Sequence, residues 1–221
     1  MFVGHFGVGF AGKAAAPRAS LGTLFLAAQL VDLLWPTLLL LGLEKVEIRP
    51  GITRVTPLDF VSYPISHGLL AVVAWGLLFA GAYQLARRYA AGAATMFALV
   101  VSHWLLDLLT HRPDLPLWPG NETKVGLGLW SSLPGTLAVE LAIFAAGVAL
   151  YVRATKPVDR AGLLSLAALV AFLLVVYAAN LLGPPPPAVG PIAWAGHAQW
   201  LLVAWAYQVD RHRTTRAPVG A

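Results

Sequence analysis

Cysteine is absent from the 221 residues, which excludes a disulfide framework, a thiolate metal site, a cysteine nucleophile and an iron–sulfur cluster. Charge is scarce as well: Asp, Glu, Lys and Arg make up 11% of the chain, against roughly 25% in soluble proteins. A soluble enzyme, a disordered chain and a nucleic-acid-binding domain are thereby excluded. There is no Gly-x-Ser-x-Gly elbow to support a serine mechanism, and no clear inverted repeat of the transporter kind. No basic residue precedes Lys13, so the first apolar stretch lacks the charge pattern of a signal peptide and Met1 is expected to stay.

What the chain has is apolar sequence, 58% of residues, gathered in blocks of the length that crosses about 30 Å of hydrocarbon. Six blocks are marked at about residues 20–43, 58–86, 89–111, 129–152, 161–182 and 191–209. Proline, glycine or basic residues punctuate them. The expectation is an all-α, polytopic transmembrane bundle forming a single domain over 1–221. About six spans are expected, plus a short N-terminal helix that is re-entrant or interfacial. Ten of the 15 basic residues fall on one side of the alternation, namely Lys13, Arg18, Arg87, Arg88, Arg153, Lys156, Arg160, Arg211, Arg213 and Arg216. By the positive-inside rule both termini are then expected to be cytoplasmic. Trp118, Trp130, Trp194 and Tyr63 fall near the outer interface. The net charge of +5 reports topology, not a nucleic-acid partner.

Ionisable residues inside such blocks are costly and point to function. His5, Asp32, His67, His103, Asp107, Glu140, Asn180 and His197 lie within or at the ends of blocks. Counting 1.5 Å per residue, Asp32, His67, His103 and Glu140 come to a similar depth, to within about two helical turns. His5 joins them if the first segment dips inward. The densest signal is Ser102–Asp114, in which His103, Asp107 and His111 recur at i, i+4 and i+8 and so share one helix face. An imidazole and a carboxylate at that spacing can hold one divalent cation. Such donors suit zinc, manganese or iron, with zinc the first expectation. Pro64 and Gly68 bracket His67 with residues that loosen a helix beside a cavity.

The blander alternatives differ by residue. His103 with Asp107 can be a packing pair between helices. His111 and Asp114 read as a solvated end or as partners of the ligands. Glu140 is a ligand, a general base, or a buried acid bonded to Ser131, Thr136 or Asn180. His197 reads as structural, and His212 as a solvated tail residue among arginines.

The series His5, Asp32, Ser66-His67 and Ser102-His103-xxx-Asp107 resembles the inner-membrane-bound, metal-dependent hydrolases of unknown substrate, also described as LexA-regulated membrane hydrolases. The resemblance covers about the first half of the chain. It implies that His5, Asp32, His67, His103 and Asp107 are the metal-site residues. Asp32 lacks the preceding proline and second aspartate of the family element, and His67 is followed by glycine where the family has serine.

The first functional expectation is therefore a membrane-embedded hydrolase. It would act on a lipid or amphiphilic ester or phosphoester, with Asp107 or Glu140 as proton acceptor. A divalent-cation or proton transporter built on the same residues, and a non-catalytic structural membrane protein, are the alternatives. Membrane lipids are the expected partners.

Overall fold

The computed structural model describes residues 1–120 and 123–216. Among the described residues, four helices are long and apolar enough to cross a bilayer: α4 (Leu69–Arg87), α5 (Ala90–Thr110), α6 (Leu133–Ala154) and α7 (Arg160–Leu182). Their boundaries follow from local chemistry. Ser132 Oγ accepts from Gly135 N at the start of α6, and Asp159 Oδ1 from Gly162 N at the start of α7, each satisfying a backbone donor that a helix N-terminus leaves open. α7 ends at Gly183, where the proline run at 184–187 cannot continue a helix. The outer faces are apolar, with Leu78 and Leu85 of α4 largely exposed, as suits a surface facing hydrocarbon.

Two further segments are broken helices. α2 (Leu21–Ala28) and α3 (Leu30–Leu40) meet at Gln29 with a bend of 54° and together make a fifth candidate span. The block expected at 191–209 forms α8 (Val189–His197) and α9 (Gln199–Arg211), neither of which reaches spanning length alone. α8 packs on α3 and α9 on α2, so the two broken segments lie antiparallel, side by side. The six expected blocks therefore become four unbroken helices and two broken ones.

The first segment, α1 (Val3–Ala15), is about 20 Å long and too short to span. It is buried inside the bundle against α6, α2 and α5, not lying at an interface. Glycine permits this: a Cβ on Gly147 of α6 would collide with the Gly7 carbonyl, and one on Gly7 with the backbone of Ile143 and Phe144. Lys13 ends the helix buried, donating to Ala19 O at 2.7 Å and paired with Asp210 at 2.9 Å.

Three two-stranded antiparallel ribbons tie the connections: β1 (Lys45–Ile48) with β2 (Leu58–Ser62), β3 (Leu115–Pro116) with β4 (Lys124–Val125), and β5 (Thr155–Pro157) with β6 (Arg213–Thr215). The block expected from residue 58 thus begins as a strand and a turn, and becomes helical only at Leu69. β6 and its neighbours are anchored by Arg213, which donates to Thr155 Oγ1 and Gly162 O at 3.0 Å each. His212 is not a free tail residue, because it pairs with Asp159 at 2.8 Å. That hydrogen bond holds the Asp159 carboxyl below its ordinary range.

Candidate metal centre

Each element end delivers one or two polar side chains to the same place. α1 brings His5, the first turn of α3 brings Asp32, the turn before α4 brings His67, and the last half of α5 brings His103 and Asp107. His5, His67, His103 and Asp107 are each at most 3% exposed. Asp32 is partly open, at 25% of its side chain. Asp107 is the hub: its carboxylate lies within 4 Å of imidazoles from His5, His67, His103 and also His111.

Hydrogen bonds at the far side of three rings decide where their lone pairs point. His103 Nδ1 is 2.7 Å from Ala28 O, one of the carbonyls left open where α2 ends at the Gln29 break. A carbonyl only accepts, so Nδ1 carries the proton and Nε2 of the neutral ring is bare. His111 Nδ1 lies 2.9 Å from Asp114 Oδ1, and the same reasoning leaves its Nε2 bare. His67 Nδ1 is 2.7 Å from Ser66 Oγ, whose single proton goes to Glu44 Oε2 at 2.6 Å. Ser66 must therefore accept from His67, and Nε2 is again bare.

In the neutral rings these nitrogens are bare, and they face carboxylate oxygens, which have no proton to offer. His67 Nε2 and His103 Nε2 lie 3.3 and 3.7 Å from Asp32 Oδ1, and 3.8 and 3.2 Å from Asp107 Oδ2. Donors around a tetrahedral cation with bonds of about 2.0–2.1 Å stand about 3.3 Å apart; the donor atoms of Asp32, His67 and His103 lie within 4.8 Å of one another, as do those of His5, His103 and Asp107, so either triad fits a divalent ion of the zinc, manganese or iron class. His103 Nε2 and His5 Nδ1 are buried without a hydrogen bond. Among the described residues, no Lys or Arg pairs with Asp32 or Asp107; the Met1 amine, 2.6 Å from Asp107 Oδ1, is the one ammonium there. A far-side acceptor on each imidazole is the usual support of a metal-ligating histidine.

Around this core the structure departs from several expectations. His111 and Asp114, read as a solvated end or as partners of the ligands, are buried at 3% and 4% exposure, which removes the first of those readings. Tyr63 and Trp130 were expected in an interfacial belt. They are buried instead, with Tyr63 Oη donating to Asp114 at 3.0 Å and the Trp130 ring 4.2 Å from that of His111. Burial, with the Asp114 carboxylate beside it, raises the Tyr63 phenol well above its ordinary value and keeps its proton in place. Burial also lowers His111 below the ordinary histidine value. Glu140 bonds to none of Ser131, Thr136 and Asn180: its Oε2 accepts from the backbone N–H of Phe2 at 2.8 Å and of Gly4 at 3.4 Å. It thus caps α1, where open N–H groups and the helix dipole favour an acid. The His197 ring lies 5.7 Å from that of Trp194, tilted by 48°. Glu44, which accepts from Ile65 N, Ser66 N and Ser66 Oγ, had no sequence signal.

A cavity of about 660 Å³ opens onto the cluster. Asp32, His67, Asp107, His111 and Glu140 form its polar part, while Trp35, Phe60, Leu181 and Ile192 contribute apolar wall. Arg54 is the one Lys or Arg that lines it.

A family model described as the YdjM inner membrane protein matches residues 2–182. The chain belongs to that family. The YdjM match reaches beyond the half of the sequence carrying the polar motifs and includes α1 through α7, so it takes in every residue of the cluster as well as Glu140. As an inner-membrane protein the chain agrees with the resemblance read from His5, Asp32, His67, His103 and Asp107; the YdjM description names no reaction. No curated protein and no solved structure matches the chain.

Proposed function

We propose that the protein is a metal-dependent hydrolase of the inner membrane, acting on an amphiphile with an ester or phosphoester bond. The supporting observation is the convergence of imidazole lone pairs, each fixed from behind, on two carboxylates at the floor of a partly apolar cavity. Asp32, His67, His103 and Asp107 would hold the ion. When bound there, a divalent cation supplies a Lewis acid for the scissile oxygen and brings the pKa of a water toward about 7.

Asp107 has both oxygens engaged by nitrogen partners and serves as a holder. Glu140 lines the cavity with Oε2 already bonded to backbone, which leaves Oε1 to take a proton. In hydrolysis the water oxygen bonds to the acyl carbon or phosphorus, the bond to the leaving oxygen breaks, and Glu140 carries the water proton to that leaving oxygen. The aromatic and aliphatic wall takes the acyl chain, and Arg54 favours an anionic head, hence a phosphoester. Transport is the second reading, favoured by the broken span α2–α3, since interrupted helices coordinate ions in transporters.

The test is turnover of phospholipid and lipid-ester substrates by metal-loaded protein, with Glu140→Gln beside the wild type. Hydrolysis by the wild type, lowered about 100-fold or more in Glu140→Gln with metal retained, is expected. No turnover, together with saturable metal uptake by liposomes, would replace hydrolysis with transport.

A further inference from the structure

A buried hydrogen-bond donor without a partner is costly to the fold, and each such group calls for a reason. Two of them belong to residues of the cavity wall. Tyr177 of α7 is 4% exposed and Trp35 of α3 is 8% exposed, and both line the cavity. Neither Tyr177 Oη nor Trp35 Nε1 has a hydrogen-bond partner among the described residues.

Phe2 connects Tyr177 to the proposed chemistry. Its N–H donates to Glu140 Oε2 at 2.8 Å, and its ring stacks on that of Tyr177, with centroids 6.4 Å apart and planes at 14°. Glu140 and Tyr177 thus flank the same residue, one an acid with an open oxygen and the other a phenol with an open proton. Asn180 and Leu181, three and four residues further along α7, line the cavity as well, so this face of the helix is the one turned to it.

A phenol keeps its proton at neutral pH, and that proton turns about the C–O bond to meet an acceptor. Tyr177 is therefore no base, but it is a donor for an oxygen that bears negative charge. We propose that Tyr177 Oη donates a hydrogen bond to a phosphoryl oxygen of the bound amphiphile, with Trp35 Nε1 as a second donor in the same cavity. This rests on the phosphoester form of the hydrolase reading. Tyr177 gives up no proton: Glu140 remains the acceptor, and the phenol holds the charge that builds on the phosphoryl oxygen as water adds.

A donor that serves a ligand differs measurably from one that serves packing. Removing a hydroxyl that has no partner in the free protein takes no hydrogen bond from the fold, yet it takes one from the complex. The experiment is calorimetric binding of dodecylphosphonate, a non-hydrolysable amphiphile, to the full-length protein loaded with Zn(II) in nonionic detergent, with thermal melting and zinc content measured on the same samples. The wild type is expected to bind, and Tyr177→Phe to bind about 10–100-fold more weakly with melting and zinc content unchanged. Equal affinity in the two proteins overturns the donor and leaves the hydrolase. Weaker binding accompanied by a lower melting temperature assigns the hydroxyl to packing and overturns it too. A zinc-loaded wild type that does not bind the phosphonate overturns both the donor and the phosphoester reading.

Discussion

A histidine becomes a ligand or a hydrogen-bond donor according to what sits behind it, and here the second layer decides. Glu44 takes the Ser66 proton, Ser66 takes the His67 proton, and the bare His67 nitrogen is turned to Asp32. Removing the middle member breaks the chain of orientation without touching the donor set. Ser66→Ala is expected to weaken metal binding about 10–100-fold, read by competition with a chromophoric chelator; unchanged affinity would show that packing alone orients the ring. Much of this was legible: His103 and Asp107 at four-residue spacing sit on one face of α5, His111 follows directly after its end, and Ser66 adjoins His67 in sequence. Glu44 was not. It follows α3 in a turn with no periodicity, and only the fold carries it to the N–H groups of Ile65 and Ser66.

At the scale of elements, irregular segments position the site. A break at Gln29 frees the Ala28 carbonyl for His103 and starts α3 just before Asp32. A turn before α4 presents His67, and a 13-residue helix inserted into the bundle presents His5. Apolar blocks announce that a segment is in the membrane but not where its helix bends, so the breaks at Gln29 and Ala198 had no reading from hydropathy. The seat of α1 depends on backbone contact between Gly7 and Gly147. Gly147→Leu is expected to push α1 off α6, loosen His5 and Glu140, and lower thermal stability, with a cost in the range of about 1–3 kcal/mol seen for overpacking. Gly81→Leu on α4, where a Cβ meets open space, is the control and should leave melting unchanged. Equal loss in both would remove the close approach as the cause.

Across the whole molecule, the polar cluster and most of the basic residues lie at opposite ends. The start of α4, the end of α5 and the start of α6 carry the site, while Arg87, Arg88, Arg153, Lys156 and Arg160 occupy the other ends of these helices and the start of α7. The positive-inside rule puts the basic end in the cytoplasm and so predicts that the cavity opens toward the outer leaflet. Single cysteines introduced by Ala188→Cys and Thr214→Cys, both at exposed positions, probe the two ends in intact cells. An impermeant thiol reagent should label the first and not the second, and the reverse pattern would put the cavity on the cytoplasmic side. Composition and basic-residue bias were sufficient for a membrane bundle with alternating ends; the burial of His111 and Asp114 under Tyr63 and Trp130 required the tertiary structure, because both pairs come from connections between spans.

The central claim is that Asp32, His67, His103 and Asp107 hold a divalent metal ion. Elemental analysis of the purified wild type beside His103→Ala and Asp107→Ala tests it most directly, with near-ultraviolet circular dichroism to confirm that the variants are folded. The account predicts stoichiometric transition metal in the wild type and loss of most of it in each variant. Wild type free of metal after loading, or folded variants with full occupancy, would contradict it.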